Sequence, residues 1–223
     1  MGPLDSEFLL TKRVEVEGTL LLKEDADFTA GTLPVQVVYA GGADEDPELV
    51  RGTEAAVEVW ADLYAGYGIT VQPTYSSYEG EITDSTGGQD GEAYEAIASA
   101  APLGTLTLVV LPDFADWTDV YGLSGGIPGP LIAKDRAAVA VSGFVNSGPD
   151  LTFDAGEIRV YGETIAHEFG HYLGAFHPVE QTWAKWDSVS DTPECTSEGA
   201  CISEYTDNLL FPCLLYTSDA ADD

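Results

Sequence analysis

The amino-acid sequence predicts an α/β domain in which one sheet carries helices. Two observations lead to this fold class: short β-branched runs bounded by glycine or proline, and two long segments with apolar residues at helical spacing. These elements follow one another as strand, helix, strands and helix. With 223 residues, 44% of them hydrophobic, the chain is long enough for one domain with a sizeable buried core.

The first strand and the first helix are predicted from the segment that begins with "LPVQVVYA". This β-branched run, Leu33 to Ala40, is followed by a glycine pair. Further on, Asp46 is a candidate N-cap, Pro47 suits the first helical position, and Gly66 or Gly68 can end the helix. The predicted apolar face of this helix contains Leu49, Ala56, Trp60, Leu63 and Tyr64.

The later elements are predicted in the same way. "ITVQPTYSSYEG" indicates a second strand, and the almost wholly apolar "TLTLVVLPDF" a third strand that is central and covered on both faces. "VYGLSGGIPGPLIAKD" is rich in glycine and proline, so it suits an edge strand or an irregular loop. "AAVAVSGF", Ala137 to Phe144, predicts another strand, and a helix is expected from about Glu157 to Leu173.

The chain is strongly acidic. Eight Lys plus Arg against 39 Asp plus Glu give a formal net charge of -31. This charge repels the phosphates of nucleic acids and anionic lipid head groups, so both are excluded as partners. No stretch reaches the roughly 18 apolar residues of a membrane-spanning helix. The acidity indicates the solvated surface of a secreted or salt-tolerant protein, with a dedicated acidic binding tail as the alternative, and some of the carboxylates could bind Ca²⁺.

All three histidines of the chain lie within the eleven residues "HEFGHYLGAFH". Residues four apart share one helix face, so His167 and His171 can direct imidazole nitrogens onto one zinc ion. Glu168 follows the first of them and is placed as a general base, as in the HExxH pattern. Gly174 permits a left-handed turn that ends the helix and delivers His177 as third ligand. Three protein ligands leave one position open, which is typical of catalytic zinc sites.

The spacing HExxHxxGxxH in this stretch resembles the signature of the metzincin metallopeptidases. The resemblance covers about Leu33 to Pro212 and implies a zincin fold: a twisted mixed sheet with an edge strand for substrate, a backing helix and an active-site helix. It implies a catalytic domain over residues 33–212, with an upper subdomain to about residue 174 and a partial, truncated lower subdomain after it. Residues 1–32 form an unassigned N-terminal segment.

Two downstream segments, "WDSVSDTPECTS" and "DNLLFP", are most similar to the pappalysin group of metzincins. In that group an Asn-containing turn places a methionine beneath the metal, whereas Leu210 stands at this position here. Leucine has a similar volume, so the apolar floor under the zinc ligands is expected to change little. Pro212 stands where several metzincins have a tyrosine, which leaves transition-state stabilisation to zinc or to a residue further along the natural chain.

The resemblance implies a zinc-dependent endopeptidase that hydrolyses peptide bonds of extracellular proteins or peptides with a zinc-activated water and Glu168 as general base. The segment from Tyr121 to Pro130, which includes Gly125, Gly126 and Ile127, could pair with an extended substrate by strand addition, or be a plain surface loop. Two alternatives stay open: a catalytically inactive zinc-binding interaction module, and a zinc hydrolase of non-peptide amides.

Cys195 and Cys201 lie six positions apart in "ECTSEGACIS" and could form a small disulfide, remain free thiols, or pair with other cysteines. A disulfide indicates an oxidising compartment, and together with the family it implies a secreted or extracellular bacterial protein, although no signal peptide is visible. Asp187 and Asp191 could orient the downstream loop, contribute to a Ca²⁺ site, or be ordinary exposed carboxylates.

The last residues, 213–223, read "CLLYTSDAADD" and differ in character from the preceding chain. They resemble the translated read-through of a sequencing adapter. We therefore expect a non-native tail and exclude it from the fold. On this interpretation Cys213 is not a native residue, and the natural polypeptide continues beyond Pro212 in another sequence.

Overall fold

The computed structural model describes residues 29–80, 82, 97, 101–102, 104–112, 121–129, 138–142 (backbone only), 152–180, 182–188, 190, 192–205 and 207–211. Several positions singled out above therefore lie outside the described residues. They are residues 1–28 of the N-terminal segment, Pro130, Ala137, Gly143 and Phe144 of the predicted strand, Asp191, Pro212 and the tail 213–223.

A mixed sheet of five strands is the centre of the described structure. The strands are β1 (Gly31–Tyr39), β2 (Ile69–Ser77), β3 (Leu106–Leu111), β4 (Gly122–Ser124) and β5 (Ala138–Ser142). Their order is β2-β1-β3-β5-β4; β4 runs antiparallel to β5, and the other neighbours pair in parallel. The mixed α/β architecture is confirmed, and the Gly- and Pro-rich segment contributes a short edge strand.

Three α-helices accompany this sheet in the described part of the chain: α1 (Pro47–Ala65), α2 (Ala155–Tyr172) and α3 (Glu198–Tyr205). Asp46 is the N-cap of α1, because its carboxylate accepts hydrogen bonds from the backbone N–H groups of Glu48 and Leu49 at 2.9 and 3.3 Å. Pro47 opens the helix and Gly66 closes it. The predicted limits of the first helix are therefore confirmed.

The second helix begins two residues earlier than expected because of a capping box. The Asp154 carboxylate accepts from the Glu157 N–H at 2.8 Å, and the Glu157 carboxylate accepts from the Asp154 N–H at 2.9 Å. Glu157 is thus the third helical residue rather than the first. This reciprocal pair fixes the start of the helix that carries the histidine motif.

Strand β3 is central and buried on both faces, as its apolar sequence predicts. Leu108 and Val110 belong to the larger core, which also contains α1 and α2. Val109 and Leu111 face the opposite side, where they pack in a smaller cluster with Ile97. Successive side chains of a strand point to opposite faces, so one strand supplies both cores.

The larger core depends on close packing between α1 and α2. The Trp60 and Phe169 rings stack with centroids 4.4 Å apart. Next to them the Tyr64 hydroxyl donates to the Ala166 carbonyl at 3.0 Å. Both rings and both hydrogen-bonding partners are buried. The histidine-bearing helix is therefore held against α1 immediately beside the motif.

Leu63 was expected on the buried face of α1 and is instead 36% exposed, so this part of the prediction is wrong. Three residues along a helix rotate the side chain by about 300°, which places Leu63 about 60° from the fully buried Trp60. It therefore lies at the margin of the buried stripe. In the described part of the chain, no helix has the length and apolar content needed to cross a membrane.

Substitution of Gly162 tests the close packing between α1 and α2. A Cβ atom there would lie 2.6 Å from the Val59 Cβ and 2.7 Å from the Ala56 carbonyl oxygen. We expect Gly162→Ala to lower the free energy of unfolding by about 1–3 kcal/mol in chemical denaturation, because overpacking outweighs the helix propensity of alanine. Gly199→Ala is the matched control, since a Cβ there meets nothing within 4 Å. Equal stability of Gly162→Ala and the parent chain would contradict this packing.

Candidate metal centre

The three histidines bring one nitrogen each to a common point. The Nε2 atom of His171 lies 3.0 Å from that of His167 and 3.0 Å from that of His177, and the last two atoms are 3.2 Å apart. With Nε2–zinc distances of about 2.0–2.1 Å, tetrahedral geometry separates two ligand nitrogens by about 3.3 Å. The triad therefore fits a single zinc ion. In the described part of the chain it is the only group of three or more His, Cys, Asp or Glu residues that could hold a metal.

The far nitrogens of the first two rings show which tautomer is present. His167 Nδ1 lies 2.7 Å from the Leu209 carbonyl oxygen, and His171 Nδ1 lies 2.8 Å from the Ala175 carbonyl oxygen. A carbonyl only accepts hydrogen bonds, so both Nδ1 atoms carry the proton and donate it. The Nε2 lone pairs are left facing the centre of the triad, which is the arrangement that a metal ligand requires.

Burial keeps these two imidazoles neutral. It lowers the pKa of His167 to about 4, and the nearby His171 and His177 act in the same direction. Burial also lowers the pKa of His171 below its ordinary value. Loss of hydration disfavours the charged imidazolium, so near neutral pH the lone pairs are available to a cation.

The turn after the helix brings the third histidine to the site. Gly174 has φ 108, a left-handed conformation that glycine adopts without a Cβ clash. Its N–H donates to the His171 carbonyl at 2.9 Å, and the Ala175 N–H donates to the Gly170 carbonyl at 2.9 Å. The predicted role of Gly174 agrees with this geometry, because the reversal places His177 next to the two helical ligands.

The Glu168 side chain lies between α2, the helix that carries the histidine motif, and strand β4 of the described sheet. A Cβ atom at Gly122 in β4 would come within 2.7 Å of the Glu168 Cγ and 2.8 Å of the Thr164 methyl group. Strand β4 therefore passes directly over the Glu168 side chain. Burial raises the pKa of the Glu168 carboxyl to about 8, and a dication on the adjacent histidines would oppose that shift by favouring the carboxylate.

The turn at residues 207–211 also supports the three histidines. The Asn208 carboxamide oxygen accepts from the Leu210 N–H at 2.9 Å, which shapes the turn so that the Leu209 carbonyl reaches His167. The Leu210 side chain packs on the helix, where a Cβ at Gly170 would lie 3.1 Å from its Cδ2. Leu210 thus lies beneath the ligand helix. The sequence reasoning missed the carbonyl of Leu209, for which only the turn-forming Asn208 offered a signal.

The predicted substrate edge is fixed to the same helix. Gly125 is buried, Gly126 is half-buried and Ile127 is exposed, all immediately after β4. Further along, the Gly129 N–H donates to the Tyr172 carbonyl at 2.8 Å. The segment therefore runs beside α2 and past its C-terminal end. Gly122, which sequence reasoning did not single out, is the position of this edge that contacts Glu168.

Cys195 and Cys201 form a disulfide. It lies in a small buried cluster with Val179, Tyr205 and Phe211, and Phe211 is the last residue of the supporting turn. The disulfide joins α3 to its preceding loop, and the cluster around it includes Phe211 of the supporting turn.

Asp187 accepts a hydrogen bond from the Thr192 hydroxyl at 3.3 Å, which orders the loop before the disulfide. Its predicted partner Asp191 lies outside the described residues. Among the residues that are described, no acidic group of three or more ligands accompanies Asp187, so a Ca²⁺ site here has no support.

The solved structures that are similar to this chain include the following two. No protein-family model matches the chain, and no curated protein does. Metalloproteinase-II from Bacteroides fragilis is similar over 70% of this chain and 45% of its own length, with 14% identity and a TM-score of 0.44. Archaemetzincin from Methanopyrus kandleri is similar over 65% of this chain and 76% of its own, with 16% identity and a TM-score of 0.39. The chain thus spans less than half of the Bacteroides protein.

Removal of one ligand tests the metal centre. We expect the purified chain to retain one zinc ion after dialysis, measured by elemental analysis. His171→Ala should weaken zinc binding by more than about 100-fold in chelator competition, because loss of an outer-shell partner alone costs 10–100-fold. Glu163→Gln, on the same helix but paired with Arg159, is the matched control and should retain zinc. A His171→Ala protein that binds zinc as tightly as the parent chain would contradict the assignment.

Proposed function

We propose that this chain is the catalytic part of a zinc-dependent endopeptidase of the metzincin type, pappalysin-like, that cleaves extracellular proteins or peptides. The observation that carries the proposal is the convergence of the Nε2 atoms of His167, His171 and His177 within 3.2 Å of one another. Three imidazole nitrogens suit zinc, and three protein ligands leave one coordination position for water or substrate.

Zinc bound by this triad would supply a Lewis acid that polarises a carbonyl and activates a water molecule. Glu168 follows the first ligand directly and is half-buried beside the edge strand. From that position its carboxylate can accept a proton from the attacking water and then transfer it to the departing amine. Glu168 is therefore the general base, and subsequently the general acid, of the proposed reaction.

The location of Glu168 under β4 also supports a peptide as substrate. Strand β4 pairs with β5 on one side and is the last strand of the described sheet, so its other side can accept an extended peptide by strand addition. A peptide added there would lie along the strand that contacts Glu168 through Gly122. We assign Gly125, Gly126 and Ile127 to the continuation of this substrate edge.

The extracellular part of the proposal rests on two features of the chain. The Cys195–Cys201 disulfide is of the kind that forms and persists in oxidising compartments. The net charge of -31 suits a protein that remains solvated and soluble outside the cell. Both features favour secretion, in agreement with the metzincin resemblance of the histidine motif.

Glu168→Gln separates the proposed peptidase from an inactive zinc-binding module. We expect the variant to retain zinc and its thermal stability while kcat falls by about 10²–10⁴-fold, because the substitution removes the proton acceptor and leaves the ligands intact. Cleavage of a broad peptide library by the parent chain should also stop on addition of a chelator and return with zinc.

Glu163→Gln is again the matched control, since it changes the same functional group on the same helix in a carboxylate that pairs with Arg159. It should leave kcat unchanged. Chelator-insensitive cleavage, or full activity of Glu168→Gln, would contradict the mechanism. A zinc-loaded chain that cleaves no peptide would favour the inactive module or a hydrolase of other amides.

A further inference from the structure

The three candidate ligands are held in two different ways. His167 and His171 are buried, and their Nδ1 atoms donate to backbone carbonyls at 2.7 and 2.8 Å. His177 is only half-buried, and its Nδ1 atom lies 3.4 Å from the carboxylate of Glu180. The orientation of the third ligand therefore depends on a side chain rather than on a carbonyl fixed in the backbone.

The backbone of Glu180 is itself well fixed. Its N–H donates to the Lys185 carbonyl at 2.9 Å, and its carbonyl accepts from the Trp183 N–H at 2.8 Å. The adjacent Val179 is fully buried and forms a β-bridge with Trp186. This short turn holds Glu180 three residues after His177, and the remaining freedom lies in a side chain that is 52% exposed.

The contact of Glu180 is with the far side of the imidazole ring. Nδ1 and Nε2 are the two distinct nitrogens of the ring, and only Nε2 of His177 lies within 3.2 Å of the other two ligand atoms. Glu180 thus acts on a bound metal through His177 and not as a ligand. As acceptor for Nδ1–H it selects the tautomer with a free Nε2, and its negative charge makes that nitrogen a stronger donor to a cation.

We propose that Glu180 is a positioning residue that orients His177 and tightens its hold on zinc. The inference rests on the proposed metal centre, but it concerns affinity and does not require peptidase activity. The contribution of His177 to zinc binding then depends on the exposed carboxylate of Glu180. Without that carboxylate, zinc should dissociate more readily from a site whose other contacts are unchanged.

The test is the zinc dissociation constant of the whole chain, measured by competition with a chromogenic chelator in the absence of substrate. We expect Glu180→Ala to bind zinc 10–100-fold more weakly and Glu180→Gln to fall between it and the parent, because the amide oxygen still accepts a hydrogen bond but carries no charge. Glu58→Ala removes the same charge from an exposed position of α1 and should leave the constant unchanged.

The melting temperature distinguishes positioning from a general structural role. Without zinc, Glu180→Ala and Glu180→Gln should melt with the parent chain, and only the rise in melting temperature on zinc addition should be smaller. Equal zinc affinity of both variants and the parent would overturn the inference while leaving the metal centre intact. An affinity loss matched by Glu58→Ala would also overturn it, and a parent chain that binds no zinc would overturn the inference and the proposed function together.

Discussion

The constraint on which the candidate site depends is the approach of three imidazole nitrogens to within 3.2 Å of one another. Two of these nitrogens are neutral lone-pair donors, since their partner nitrogens donate to carbonyls. Such lone pairs repel one another unless a cation lies between them. The surrounding elements therefore have to keep the three rings in place.

Each contribution comes from a different part of the chain. Helix α2 presents His167 and His171 one turn apart, and the stack of Trp60 on Phe169 holds that helix against α1. The turn at Gly174 returns the chain with His177, and the 207–211 turn, reinforced by the disulfide cluster behind it, supplies the Leu209 carbonyl. Strand β4 covers the Glu168 side chain at Gly122. The candidate base is thus placed between the metal ligands and the strand proposed to bind substrate.

The features that sequence reasoning anticipated are encoded locally. A cap at Asp46, a proline at the first helical position and a repeat of four residues between histidines each depend on neighbours within about one helical turn. The contacts that it missed join residues far apart in the chain: the Leu209 carbonyl to His167 and Gly122 to Glu168. No pattern within a single segment specifies such pairs, because they follow from the order of strands and the docking of helices. The exposure of Leu63 has the same cause. Helical periodicity predicts which residues share an apolar face, but not how much of that face the neighbouring helix covers.

The most direct test of the central claim is zinc K-edge X-ray absorption of the zinc-loaded chain, which reports the atoms bound to the metal and their distances. The account predicts three imidazole nitrogens and one further light atom, all at about 2.0–2.1 Å. The light atom should be replaced when a small zinc-chelating inhibitor such as a hydroxamate is added. A sulfur atom at about 2.3 Å, or fewer than three imidazoles, would contradict the assignment of the three histidines as the ligands of an open zinc site.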